Sequence, residues 1–334
     1  MNILMIFTGG TIGSSTRDGI TSPDPAAAQI LLKTCTLQDD PAPDRLTGHA
    51  ESVRTDTLIP YYILSEELNA VHLNLLTKTI SDNLHKNYDG IIITHGSDTL
   101  HYTAALLDAM FAEASVPILL VCSNFPLDDP RANGIANLSA ALAFLHQTPV
   151  PGVYVPYRND PQTADTPVDI HRGSRLLRHA EASGDLHSIG DEPFARYENG
   201  FIIRNNACVF PDPAMTDVPA GRTVLCEHPE ILQTLCVPGA LYPVVPKQTQ
   251  AVILLPYHSA TLPVSDPAFT AFCAACRQRN IPILMPTAGC ETCYSSSESF
   301  SSLGITTVPL PFISLYCRLW ICISRKKQNS MRIV

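Results

Sequence analysis

Two short loops rich in threonine and glycine hold the residue types that could do chemistry in this chain. The first runs Thr8-Gly9-Gly10-Thr11-Ile12-Gly13, the second His95-Gly96-Ser97-Asp98-Thr99. A hydroxyl can act as a nucleophile, a carboxylate can hold a cation, and glycine lets the backbone approach a ligand closely. Each loop directly follows an apolar run, residues 2–7 and 88–94, that reads as a buried strand. In an open parallel sheet, ligands bind beyond the carboxyl ends of the strands. Both loops are therefore expected on one rim, delivering two hydroxyls and a carboxylate to one crevice.

The elements that must position these loops follow the alternation of an α/β sheet in the first half of the chain. Further strands are expected at residues 117–122 and 152–155. Helices are expected at 66–86, with Leu68, Val71 and Leu75 on one face, at 98–114, and at 131–145. Residues 16–25 contain Gly, Ser and Pro with no period and read as a mobile loop beside the site. A polar stretch with Gly184, Gly190 and Gly200 marks a linker, placed at 191–210. It divides a domain at 1–190 from a second at 211–334, where strands at 251–256 and 281–285 flank a helix at 266–278.

Composition narrows the function. The net charge is −9 with no basic stripe, which argues against a nucleic-acid ligand. Residues 1–7 are too short and lack the positive start of a secretory signal. The apolar tail at 312–323 is interrupted by Arg318 and too short for a bilayer. It reads as a closing helix whose basic run, Arg325-Lys-Lys327, suits a helix C-terminus or a solvated tail. The 11 cysteines are scattered and odd in number, so reduced thiols in the cytoplasm are expected.

Read from residues alone, each candidate has a structural alternative. Thr11 could cap a turn, and Ser97 with Asp98 could cap the helix that follows. Ser65-Glu66-Glu67 looks like a helix start whose acids favour the macrodipole, and its free N–H groups could also meet an anion. Cys273-Ala-Ala-Cys276 and Cys290-Glu-Thr-Cys293 have the spacing of a zinc ribbon. However, Cys273 and Cys276 share a helical face with Phe269 and Phe272, so buried thiols are expected and no metal.

The motifs TGGTIG and DGIIITHGSDT resemble the two signatures of bacterial L-asparaginases, most closely the cytoplasmic type I branch. The resemblance continues through Ser65-Glu66-Glu67-Leu68, Val121-Cys-Ser-Asn-Phe-Pro126, Arg131-Ala-Asn-Gly134 and Arg172-Gly-Ser-Arg175. It weakens after about residue 180 and returns at 251–259 and 303–305. It implies a larger flavodoxin-like N-terminal domain, a smaller C-terminal α/β domain, and hydrolysis of L-asparagine to L-aspartate and ammonia. Thr11 would be the nucleophile, with Ser97, Asp98 and Arg178 assisting. Ser65, Glu66, Gly10, Gly96 and Ser123 would bind the substrate. The resemblance implies no cofactor, no nucleic acid, no membrane, and a cytoplasmic homodimer or homotetramer.

Three departures stand out. Arg178 occupies the place of a family lysine that pairs with the aspartate, and Arg does not give up its proton near neutral pH. No Tyr precedes Tyr61, so the loop near Ile20 lacks the usual tyrosine. Tyr257-His-Ser-Ala-Thr261 contains no Asn where a partner protomer usually supplies one; His258 or Ser259 could substitute, or His258 could be a hydrogen-bonded residue at a strand end. An amino-acid-binding homologue with little catalysis is therefore an alternative. The asparaginase-like subunit of a tRNA-dependent amidotransferase is another, disfavoured by the acidic charge and by the lack of a long extra domain.

Overall fold

In the computed structural model of this protein, the described residues are 1–37, 53–159, 166–181, 183–206, 223–290 and 294–331. They form two compact units, divided near residues 210–223.

The larger unit contains β1 (Asn2–Phe7), a hairpin of β2 (Ser14–Arg17) and β3 (Ile20–Pro23), α1 (Pro25–Leu37), β4 (Arg54–Leu58) and α2 (Ala70–Ser81). It continues with β5 (Gly90–Thr94), α3 (Leu100–Met110), β6 (Pro117–Val121), α4 (Gly134–Gln147) and β7 (Gly152–Tyr157). Then come β8 (Val168–Arg172), β9 (Ala195–Glu198) and β10 (Phe201–Arg204). Eight strands form one sheet in the order β10-β9-β8-β7-β6-β5-β1-β4. The run β4-β1-β5-β6-β7 is parallel, and the added strands β8 to β10 are antiparallel to their neighbours. That parallel run has the flavodoxin-like 2-1-3-4-5 order. Its chain reverses direction across the sheet between β1 and β5, the topological switch point where ligands of such sheets bind.

Burial on both faces explains the unbroken apolar runs of the central strands. Ile3, Leu4, Met5 and Ile6 of β1 and Ile91, Ile92 and Ile93 of β5 are fully buried, with Leu4 registered against Ile91 and Ile6 against Ile93. The Leu- and Ala-rich face of α4 (Leu138, Ala141, Leu142, Leu145) joins this core together with Tyr154 of β7.

Four expectations are corrected in this unit. The helix expected from residue 66 begins only at Ala70, because Ser65–Glu67 form a separate 3-10 turn. The Asn69 side chain caps α2 by accepting from Val71 N at 3.0 Å and His72 N at 3.3 Å. This start turns Val71 and Leu75 to solvent and buries Leu73, Leu76 and Ile80 instead. Residues 16–25, read as a loop, contain most of the β2–β3 hairpin. Residues 195–204, inside the expected linker, form the β9–β10 hairpin around Asn199 and Gly200, both at positive φ. Finally, β4 went unread because Thr55-Asp56-Thr57 is polar, as suits an edge strand. At the opposite edge, the Gln147 amide at the end of α4 donates to Gly200 O (2.8 Å) and accepts from Ile202 N (3.0 Å).

The smaller unit has a four-stranded parallel sheet, β11 (Ile231–Leu235), β12 (Ala251–Leu255), β13 (Ile283–Pro286) and β14 (Ile305–Val308), in sequential order. Its helices are α5 (Pro267–Gln278), α6 (Phe300–Leu303) and α7 (Phe312–Met331). Asp266 caps α5, and Pro267 occupies its first turn, where no N–H partner is needed. Cys273 and Cys276 lie in the core with Phe269 and Phe272. No group of metal-ligating side chains occurs among the described residues, which include Cys290 but not Cys293. Within them no helix is long and apolar enough to cross a membrane.

Candidate active site

The carboxyl ends of β1 and β5 are stapled together by threonines. Thr8 donates its hydroxyl to Thr94 O (2.5 Å), and Thr8 N donates to Thr94 Oγ1 (3.2 Å). Beyond the staple, Gly10 N bonds to Ile63 O (2.8 Å) and Ile63 N to Thr8 O (3.1 Å). Gly10 has φ of +74°, and a Cβ on it would lie 2.3 Å from both Cα and N of Gly96. A Cβ on Gly96 would in turn lie 2.4 Å from Ser65 Oγ. The two loops therefore meet backbone to backbone, with Ser65 packed against the second. Only glycine allows this approach, and at Gly10 the left-handed backbone adds a second reason.

Polar contacts complete the junction. Ser65 Oγ donates to Asp98 Oδ2 (3.2 Å), and Thr99 Oγ1 donates to Ser65 O (3.0 Å). Ser14 Oγ donates to Gly10 O (2.8 Å), closing the 3-10 turn Thr11–Gly13. Thr8, Ser14, Ser65, Thr94 and Thr99 thus all have engaged hydroxyls. Those of Thr11 and Ser97, both half-buried, bond to no other described residue. The same holds for the backbone N–H groups of Gly96, Ser97, Asp98 and Thr99. They precede α3, where unpaired donors and the helix dipole favour negative charge. Asp98, Glu66 and Glu67 are exposed. Two unengaged alcohols, free N–H donors and carboxylates for an ammonium group are the components that acyl transfer from an amino-acid amide requires.

Two expected site residues make no hydrogen bond or ion pair to this junction. Ser123 is fully buried beyond β6, donating to Phe125 O (2.6 Å) and accepting from Gly134 N (3.1 Å), so its hydroxyl shapes the start of α4. Arg178 is exposed and forms no ion pair with Asp98. It follows the 3-10 turn Gly173–Arg175, which is pinned to α3 by Asp108. That buried carboxylate accepts from Arg172 Nε and from Ser174 N, each at 3.0 Å. The charges of His179 and Arg178 add to burial in pushing the His101 imidazole down to about 4.

Sequence reading passed over three residues at this site. Tyr62 donates to Gly13 O (2.7 Å) and Asp24 O (3.2 Å), tying the base of the β2–β3 hairpin to the first loop. Asp108 pins the turn before Arg178. His95 lies inside the second motif and is 2% exposed. Burial pushes its imidazole down to about 4, offset in part by a bond to Gly96 O. A histidine ending a buried strand was the available signal.

Known proteins share this fold. The family model described as Asparaginase, N-terminal, matches residues 2–207, and the chain belongs to the asparaginase family. A glutamyl-tRNA(Gln) amidotransferase component from Methanosphaera stadtmanae is 29% identical over 211 residues, covering 62% of this chain and 44% of that protein. The protein of the same description from Pyrobaculum aerophilum is 31% identical over 135 residues, covering 40% and 32%. The chain spans less than half the length of these curated relatives. Among solved structures, the thermostable L-asparaginase from Thermococcus kodakarensis superposes with a TM-score of 0.76 at 20% identity, covering 97% of this chain and 93% of that one. L-asparaginase I from Vibrio cholerae gives 0.73 at 21%, with 97% and 93% coverage. At such identities the likeness concerns the fold: a large, mainly parallel sheet and a second sheet of four parallel strands.

Proposed function

We propose that this protein hydrolyses the side-chain amide of L-asparagine, giving L-aspartate and ammonia. The observation that carries the reading is the contrast among hydroxyls at the loop junction: Thr11 and Ser97 are unengaged where all their neighbours are engaged. In this reading Thr11 Oγ1 attacks the amide carbon, the C–N bond breaks, and ammonia leaves with the hydroxyl proton. Water then cleaves the resulting ester and releases aspartate. The substrate ammonium sits against Asp98 and Glu66, and its α-carboxylate against Ser65 and the free N–H groups of Asp98 and Thr99. Gly10 and Gly96 keep the walls of the site at backbone width. Ser97 supports the nucleophile, and Arg178 contributes positive charge. The working form is a cytoplasmic homodimer or homotetramer of the type I branch, needing no cofactor.

Ammonia release from L-asparagine by the purified chain, measured beside Thr11→Ala, tests this. Hydrolysis surviving in Thr11→Ala removes the nucleophile assignment. A second reading, an amino-acid-binding homologue with weak catalysis, draws on Arg178, which stands exposed and unpaired with Asp98. Micromolar asparagine binding without turnover is its signature, and faster turnover in Arg178→Lys identifies a weakened enzyme. The names of the curated relatives favour a third, the ammonia-releasing part of a tRNA-dependent amidotransferase. It requires turnover stimulated by a second protein.

A further inference from the structure

We propose that His95 is a positioning residue that holds the peptide between Gly96 and Ser97 so that the Ser97 N–H faces the site. There it donates to the negative oxygen formed on the substrate carbonyl. This deepens the amide-hydrolysis reading and rests on it.

His95 Nδ1 lies 2.8 Å from Gly96 O, an atom that only accepts, so Nδ1 carries the proton. The lone pair is then on Nε2, which accepts from Thr103 Oγ1 at 2.9 Å. Thr103 is fully buried on α3, so the helix that follows the loop also sets the ring. Burial keeps the imidazole neutral through the working pH range, which preserves this tautomer. The chain contains no cis peptide bond among the described residues. In a trans peptide the carbonyl and the next N–H point in opposite directions. Anchoring Gly96 O at a buried ring therefore turns the Ser97 N–H away from the interior, on the side of the half-buried Ser97 hydroxyl. That N–H meets no acceptor within the described residues. A fixed, unengaged donor beside a nucleophile is the arrangement that stabilises developing negative charge.

Two amides separate the two halves of the relay. The amide nitrogen of Asn in His95→Asn falls near the place of Nδ1 and keeps the bond to Gly96 O. The longer His95→Gln reaches only Thr103. For the full chain with L-asparagine, we expect kcat to fall about 100-fold in His95→Gln, the usual loss of an oxyanion donor, with KM changed a few-fold. His95→Asn should stay within about tenfold of wild type on the same basis. Nitrogen-15 NMR of the wild-type ring should show the neutral Nδ1–H tautomer at pH 7. The Ser97 amide signal should shift on adding L-aspartate in the wild type and in His95→Asn, but not in His95→Gln. An Nε2–H tautomer, an imidazolium, or equal losses in the two variants overturns the proposal even when turnover stands. A correct tautomer and a shifting Ser97 amide without turnover in the wild type overturn amide hydrolysis instead, leaving the role of His95 intact.

Discussion

The two parallel sheets of this molecule end differently. In the smaller unit, the loop after β12 closes on itself: Tyr257 N bonds to Thr261 O (3.1 Å) and Ala260 N to Tyr257 O (2.9 Å). After β13, Thr287 directs both its N–H and its hydroxyl to Val308 O. In the larger unit, the loops after β1 and β5 engage most of their hydroxyls but leave Thr11, Ser97 and four consecutive N–H groups without partners among the described residues. The same strand architecture thus supports a rim tied partly to itself in the smaller unit, where the Ser259 and Thr261 hydroxyls also meet no partner among the described residues, and a rim with a run of four free N–H groups in the larger. The chemistry resides in what the loops leave unpaired, not in the sheet.

Acid should produce the largest difference between the units. His95, His101 and His171 are buried in the larger unit, and burial pushes them down to about 4, about 4 and about 3. No buried histidine occurs among the described residues of the smaller unit. An unfolded histidine titrates near 6.5, so between there and about 4 the unfolded chain binds more protons than the folded one. Stability is then fully present above this window and falls as the pH drops through it, by on the order of 3 kcal/mol for each of His95 and His101. Trp320, the single tryptophan, lies in α7 and reports the smaller unit, while circular dichroism reports both. Coincident acid transitions by the two signals would erase the distinction.

Next in size is Thr11→Ala, expected to lower kcat for L-asparagine by about 10³-fold or more while thermal unfolding stays within a few degrees. Asp108→Ala removes the partner of Arg172 and Ser174, and should destabilise the larger unit by about 3 kcal/mol in urea titrations.

Glycines give the most direct comparison of the rims. Gly10 and Gly239 have nearly equal φ, +74° and +76°, but a Cβ meets Gly96 backbone at 2.3 Å in the first and nothing within 4 Å in the second. Gly10→Ala should cost about 2–3 kcal/mol and most of the activity, whereas Gly239→Ala should cost only the local strain, about 1 kcal/mol, and leave activity unchanged. Equal losses would show that the close approach at Gly10 is unimportant.

The strand-then-loop pattern of the two motifs was more legible in the sequence than the elements around it. Strand, glycine and hydroxyl occur consecutively in both motifs, so period and turn chemistry agreed on the rim. The misreading of α2 has a local cause, since Asn69 starts the helix four residues later than the acidic Ser65-Glu66-Glu67 suggested, which rotates Val71 and Leu75 outward. The β9–β10 hairpin was hidden by the shortness of its four-residue strands, although Asn199-Gly200 is the dipeptide that favours a tight hairpin turn. Arg178 was named for its position in a motif, yet its surroundings depend on Asp108, about seventy residues earlier in the chain. Long-range pinning of that kind leaves no local pattern to read.

Gln147 has a bearing on solubility. The last strand of the large sheet, β10, carries Phe201, 68% exposed, and Ile203, 53% exposed, the profile of a template on which a second chain could add a strand. By occupying Gly200 O and Ile202 N with one side-chain amide, α4 removes two of the rungs such a growing ladder would use. The helix that fills the interior thereby also guards the border of the sheet against self-association.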